Sequence, residues 1–245
     1  FFQDLGTNGR DCNTCHLPEQ GWTITPEGVQ QRFAQTDGMD PIFRTNDGSN
    51  SPRADVSTVE ARRDAYSMLL TKGVIRIPIG VPSGADFELI DVDDPYDYAN
   101  AQELSLFRRP LPATNLKFLS TIMWDGRETV PGDLQQGLKN QARDATLGHA
   151  QATKSPTPSQ LQSIVDFELA NFTTQVYDKS AKELTARGAE GGPVNLSNQL
   201  FYVGINDNLG DSQTQDPFNP IVFTIYDDWN NLPGGGTQAA RAAVA

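Results

Sequence analysis

The chain is 245 residues long, with 31 acidic against 19 basic side chains, a formal charge of −12 and 37% hydrophobic residues. That length can bury a core as one large domain or as two small ones. The charge leaves no basic stripe to neutralise phosphates, which excludes nucleic acid as a partner, and no apolar run approaches the roughly 18–20 residues of a membrane span.

The chain opens at Phe1-Phe2 with no charged-then-apolar leader, as a processed or trimmed chain would. Behind Gly6 and Gly9 stands Asp11-Cys12-Asn13-Thr14-Cys15-His16. Thr25-Pro26 reads as the N-cap and first residue of a helix that closes near Gly38. Residues 40–56, rich in Asp, Asn, Ser and Pro, read as loop. Ser57-Thr58-Val59-Glu60 is a capping box and predicts a helix running to Gly73. Residues 74–79 and 87–90 then predict two short extended segments around a Pro-Ser-Gly turn. An acidic loop follows, with Asp91, Asp93, Asp94 and Asp97, and after it Leu116 to Arg127 holds Met123-Trp124-Asp125-Gly126-Arg127. A short helix is expected from Asp133 to about Asn140. Thr157-Pro158 opens the clearest helix, with Leu161, Ile164, Val165, Leu169, Phe172 and Val176 along one face. After Gly188 the chain is Gly-, Asn- and Pro-rich with little periodicity, and residues 238–245 read as the start of a further helix. The fold expected is mainly α, with long structured loops and a small β element.

Only two cysteines occur, three residues apart. A disulfide across that spacing is strained and constrains little chain. A structural zinc site needs further soft ligands, and no cysteine remains to supply them. Cys-x-x-Cys-His is the arrangement for haem c attachment. The two thiols add across the two vinyl groups of one porphyrin edge, and the next residue, His16, ligates the iron. Cys12, Cys15 and His16 are therefore the cofactor-binding candidates. Thioether attachment takes place on the outer side of the bacterial inner membrane, which predicts a periplasmic or extracellular protein.

His149 is the second of two histidines in the chain. It is a candidate for the sixth iron position beside Met39, Met68 and Met123. The position could also stay open. Two strong axial ligands favour outer-sphere electron transfer, whereas an open site admits peroxide and then needs an acid–base group within hydrogen-bond reach.

Cys12-x-x-Cys15-His16, followed about a hundred residues later by Trp124-Asp125-Gly126-Arg127 and then by Ile164-Val165-Asp166-Phe167-Glu168-Leu169, resembles the bacterial di-haem cytochrome c peroxidase superfamily, including its methylamine-dehydrogenase-maturing branch. The resemblance implies a cytochrome c-like haem domain over 1–245, similar to the N-terminal part of those proteins, with a second haem domain beginning near 238–245. It implies that Trp124 assists electron transfer between two haems. It also implies a glutamine and a glutamate for peroxide cleavage. The glutamine matches Gln135 or Gln136, while no clear glutamate matches, and His149 falls on the distal side of the haem. The family carries two Cys-x-x-Cys-His motifs and this chain has one, so the expectation is a piece of a longer protein or a mono-haem relative. The family often holds calcium between domains, for which Asp91, Asp93, Asp94 and Asp97 are candidates, although their spacing departs from the EF-hand loop. The expected function is a c-type cytochrome in electron transfer, partnered by a redox protein or a second haem domain. The alternative is a hydrogen-peroxide-reducing di-haem enzyme of which this chain is a part.

Overall fold

Helix starts follow the capping chemistry. In the computed structural model, which describes residues 1–201, 205, 207–211, 214–221 and 224–245, α1 spans Pro26–Thr36. Thr25 Oγ1 accepts the Gly28 N–H at 3.1 Å, and the proline occupies a first-turn position where its missing donor costs nothing. The helix stops as Asp37 and Gly38 turn left-handed, with φ of 53° and 75°. Val29 and Phe33, one turn apart, carry its buried face.

The helix predicted from 57 to Gly73 forms as two: α2 Val59–Ala65, capped by Thr58 rather than Ser57, and α3 Ser67–Lys72. A distant loop residue makes the break. Asn50 N–H donates to the Ala65 carbonyl (2.7 Å), Asn50 Oδ1 accepts the Met68 N–H (3.2 Å), and Asn50 Nδ2 donates to the Asp64 carbonyl (3.1 Å). These are groups that a continuous helix would bond internally. Gly73, at φ 62°, ends α3.

Strand β1, Ile75–Ile79, forms as expected, but its antiparallel partner is β2, Leu104–Arg108, with Ile77 opposite Leu106. Residues 87–90 are not a strand, and Phe87 and Ile90 are 69% and 84% exposed. The pairing that forms brings the Glu103 carboxylate within 3.3 Å of the buried Arg76 guanidinium, whose charge would otherwise lie unneutralised.

The chain folds as two compact units, Phe1–Ala113 with Ala142–Leu161, and Thr114–Gln141 with Gln162–Ala245. The first is built on a core of Ile24, Val29, Phe33, Ile42, Phe43, Tyr66, Leu69 and the inner face of β1, against which Cys15 and Leu17 pack.

Helix α4, Leu134–Gly148, is longer than expected; the run of Leu, Gln, Lys, Ala and Arg continues to favour helix past Asn140. Helix α5 spans Pro158–Ala170. It begins at a reciprocal cap, Gln160 N–H to Thr157 Oγ1 (3.3 Å) and Thr157 N–H to Gln160 Oε1 (2.8 Å). It ends before Phe172 and Val176, because Asn115 draws the chain away. Asn115 N–H donates to the Asn171 carbonyl, its Nδ2 to the Thr173 carbonyl, and its Oδ1 accepts the Thr173 N–H. Val176 is 54% exposed. Ile122, Leu138 and Val165 form one core cluster of the second unit, and Ala181, Leu184, Ala189 and Trp229 form another.

Around that latter cluster lie the short hairpin of β3, Tyr177–Asp178, and β4, Lys182–Glu183, with α6, Pro193–Ser197, and α7, Thr237–Ala242. Helix α7 is bonded into this unit. Arg241 Nε donates to the Ala181 carbonyl at 2.9 Å, and its guanidinium lies 5.4 Å from the Trp229 ring centroid. The aperiodic stretch expected after Gly188 falls partly outside the described residues. Among the described residues no helix is long and apolar enough to cross a membrane.

Candidate functional site

Cys12, Asn13 and Thr14 form a single 3-10 turn. Asp11 caps it, its Oδ1 accepting the Thr14 N–H at 2.9 Å while its own N–H donates to Thr14 Oγ1 at 3.1 Å. The Cys15 and His16 N–H groups both donate to the Cys12 carbonyl, at 3.2 and 3.0 Å. Cys12 and Cys15 thus stand one 3-10 turn apart, the spacing at which side chains eclipse, with His16 next in the chain. Arg32 of α1 ties the turn down, donating to the Thr14 carbonyl (2.7 Å) while paired with Asp40.

His16 is fixed by the loop that follows. Its Nδ1 lies 3.0 Å from the Trp22 carbonyl oxygen; a carbonyl only accepts, so the proton is on Nδ1. Trp22 holds φ at 60°, a conformation bulky residues rarely adopt. Its N–H is bonded to Leu17 and its carbonyl also accepts from Ala113. Burial lowers the His16 pKa, against the opposing pull of the Trp22 and Leu111 backbone, and the nearby His149 ring lowers it further. The product is a neutral imidazole with Nδ1 protonated, and Nε2 is the nitrogen such a ring turns toward a metal.

His149, the residue after α4, is brought into electrostatic reach of His16 by contacts spanning more than a hundred residues. Its Nδ1 lies 2.6 Å from Asp47 Oδ2. The same carboxylate pairs with the Arg10 guanidinium at 2.5 Å, and both side chains of that pair are almost fully buried. Burial pushes the Asp47 pKa up, but the bonds from His149 and Arg10 outweigh it and hold it below the ordinary 3.8. The ionised carboxylate therefore accepts and the ring donates.

The backbone of the same loop is clamped as well. Asn8 Nδ2 donates to the His149 carbonyl (2.8 Å) and Thr7 N–H to the Ala150 carbonyl (3.0 Å). A Cβ at Gly6 would lie 2.0 Å from that Ala150 oxygen, so only glycine fits the close approach. His16 and His149 thus have the same polarity, each with Nδ1 given to a fixed oxygen.

Cys12 and Cys15 remain thiols. Burial pushes Cys15 up to about 11. A redox-active Cys-x-x-Cys pair needs the opposite shift. Among the described residues no three Cys, His, Asp or Glu side chains gather as a metal-holding group. The donor set that is present consists of two thiols and a neutral, Nδ1-protonated imidazole on one turn, with a second imidazole within its field. It could hold haem c, with Cys12 and Cys15 as covalent anchors and His16 and His149 as axial candidates.

Met39 is 62% exposed, and Met68 adjoins a cavity of about 360 Å³ walled by Asn50, Tyr96 and Leu106. Met123 packs on the Ile122 cluster of the second unit. Trp124, 60% exposed, and Gln135, exposed at the second position of α4, also belong to the second unit. In the acidic loop Asp94 accepts three backbone N–H groups, from Tyr96, Tyr98 and Ala99, and Asp91 accepts that of Val92. These two carboxylates serve the loop's own turns. Sequence reasoning missed Asp47, Arg10 and Trp22. The first two read as ordinary polar loop residues, and Trp22 acts through its backbone, so nothing local marks any of them.

Compared with family models, curated proteins and solved structures, the chain matches none, and the resemblance drawn from its motifs rests on those residues alone.

Proposed function

We propose that this chain is a c-type cytochrome that carries one haem through Cys12 and Cys15, holds its iron between His16 and His149, and works in electron transfer outside the cytoplasm. One observation carries the reading. The only two histidines of the chain sit in one unit, His149 near enough to lower the His16 pKa, each with Nδ1 bonded to an immobile oxygen, which is the second-shell pattern of a ligating imidazole. Bound haem supplies a one-electron ferric–ferrous couple. The protein's part is to fix the geometry on both sides. The Asp11–Thr14 cap closes the turn that carries the thiols, Trp22 fixes one ring, Asp47 fixes the other, and the Ile24–Phe33–Phe43 core packs against Cys15.

An acidic surface suits a basic redox protein as partner, and thioether attachment sets a periplasmic or extracellular location. Peroxide reduction would instead require an open iron position and a buried acid–base group beside it. His149 stands in the way of the first, and Gln135 lies exposed on α4. The test is the optical and EPR spectrum of haem-loaded protein. Wild type is low-spin in both oxidation states and indifferent to peroxide, and His149→Ala becomes high-spin. A low-spin spectrum unchanged in His149→Ala would remove that residue from the iron and overturn the reading.

A further inference from the structure

Resting on the two-histidine reading above, we propose that Asp47 is the positioning residue that orients His149 and sets its donor strength toward the iron, with Arg10 holding Asp47 in place. Asp47 has a 5% exposed side chain, and both of its oxygens are committed: Oδ2 to His149 Nδ1 at 2.6 Å, and Oδ1 to Arg10 at 2.5 Å. Its backbone is committed as well, its carbonyl accepting the Arg76 N–H at 2.7 Å. Arg10 cannot swing away either. Its remaining N–H groups donate to the carbonyls of Pro41 (2.7 Å), Ile42 (2.6 Å) and His149 itself (3.2 Å). Carboxylate and guanidinium are buried, the ring bonded to them is 38% exposed, and the three come from distant stretches of chain.

The consequence is chemical. An imidazole N–H pointed at a full carboxylate shifts toward imidazolate character and becomes a stronger donor at Nε2. One pointed at a neutral carbonyl shifts less. His16 has the carbonyl of Trp22 and His149 has the carboxylate of Asp47, so the two faces of the site are unequal. The His149 face favours the more positive, ferric state. Arg10 shares the carboxylate and limits how much of its charge reaches the ring.

The experiment compares haem-loaded wild type, Asp47→Asn, His149→Ala and the double variant by ferric EPR and by reduction potential. In Asp47→Asn the amide oxygen can still accept from Nδ1, so the haem stays low-spin, its g-values move, and its potential rises. A tenfold loss of ferric-over-ferrous preference would read as 59 mV. The double variant matches His149→Ala alone. A merely structural Asp47 would lower haem loading and leave the potential of the loaded protein untouched. That result, together with a high-spin His149→Ala, overturns this proposal and spares the axial assignment. A low-spin His149→Ala overturns both. If Asp47→Asn does not fold, Asp47→Glu keeps the charge beside Arg10 and displaces the acceptor; shifted g-values support the proposal and unchanged ones overturn it.

Discussion

Glu168 of α5 is a carboxylic acid in the wrong place for a charge. Its side chain belongs to a residue only 6% exposed, on the same helix as buried Ile164 and Val165, and its Oε2 has no hydrogen-bond partner. Burial raises its pKa from 4.5 to about 7. The fold therefore accommodates the neutral acid, and its contribution is fully present below pH 4.5 and lost as pH climbs through 7. A shift of about 2.5 units corresponds to about 3 kcal/mol at 1.36 kcal/mol per unit. Glu168→Gln is neutral at every pH and of nearly the same shape. Urea denaturation followed by far-ultraviolet circular dichroism should find variant and wild type within about 1 kcal/mol of each other at pH 4. At pH 8 the variant should be about 3 kcal/mol more stable, a midpoint shift of about 1–3 M at ordinary urea slopes. Equal effects at the two pH values, or no gain at pH 8, would refute the burial argument.

Arg10→Met strands the Asp47 carboxylate and the carbonyls of Pro41, Ile42 and His149, and should cost about 3–5 kcal/mol in thermal or chemical unfolding; a loss under 1 kcal/mol would contradict the burial of that network. Asp37→Gly, at the left-handed cap of α1 with φ 53°, should stabilise by about 0.5–1 kcal/mol because glycine takes that conformation without strain. Trp124→Phe, at a 60% exposed side chain, should leave stability within about 0.5 kcal/mol. In acid, the depressed pKa of Asp47 contributes stability above about pH 3.8 that is lost as pH falls through the folded value, and Asp47→Asn should lose that part of the acid transition.

What could be read from the sequence was local. Thr25-Pro26, Thr157-Pro158 and Gly73 mark helix ends because caps are made by neighbours in sequence. Cys12, Cys15 and His16 stand out because the motif they make lies within one turn of chain. The break at Tyr66 could not be read, since it is made by Asn50. Nor could the β1 partner, which lies past a long excursion rather than at the next extended stretch. His149 was legible through scarcity alone. Asp47 and Arg10, its anchors, were not: they stand 102 and 139 residues from His149 and 37 from each other in the chain, and the pairing exists only after the chain has folded.

The central claim is that a porphyrin is covalently bonded at Cys12 and Cys15. Intact mass of the protein, produced in a host that attaches haem c in its periplasm, tests it directly. The account predicts the polypeptide plus one haem, with a pyridine haemochrome spectrum of thioether-linked haem, both abolished in Cys12→Ser/Cys15→Ser. A colourless protein with the mass of the bare chain would contradict it.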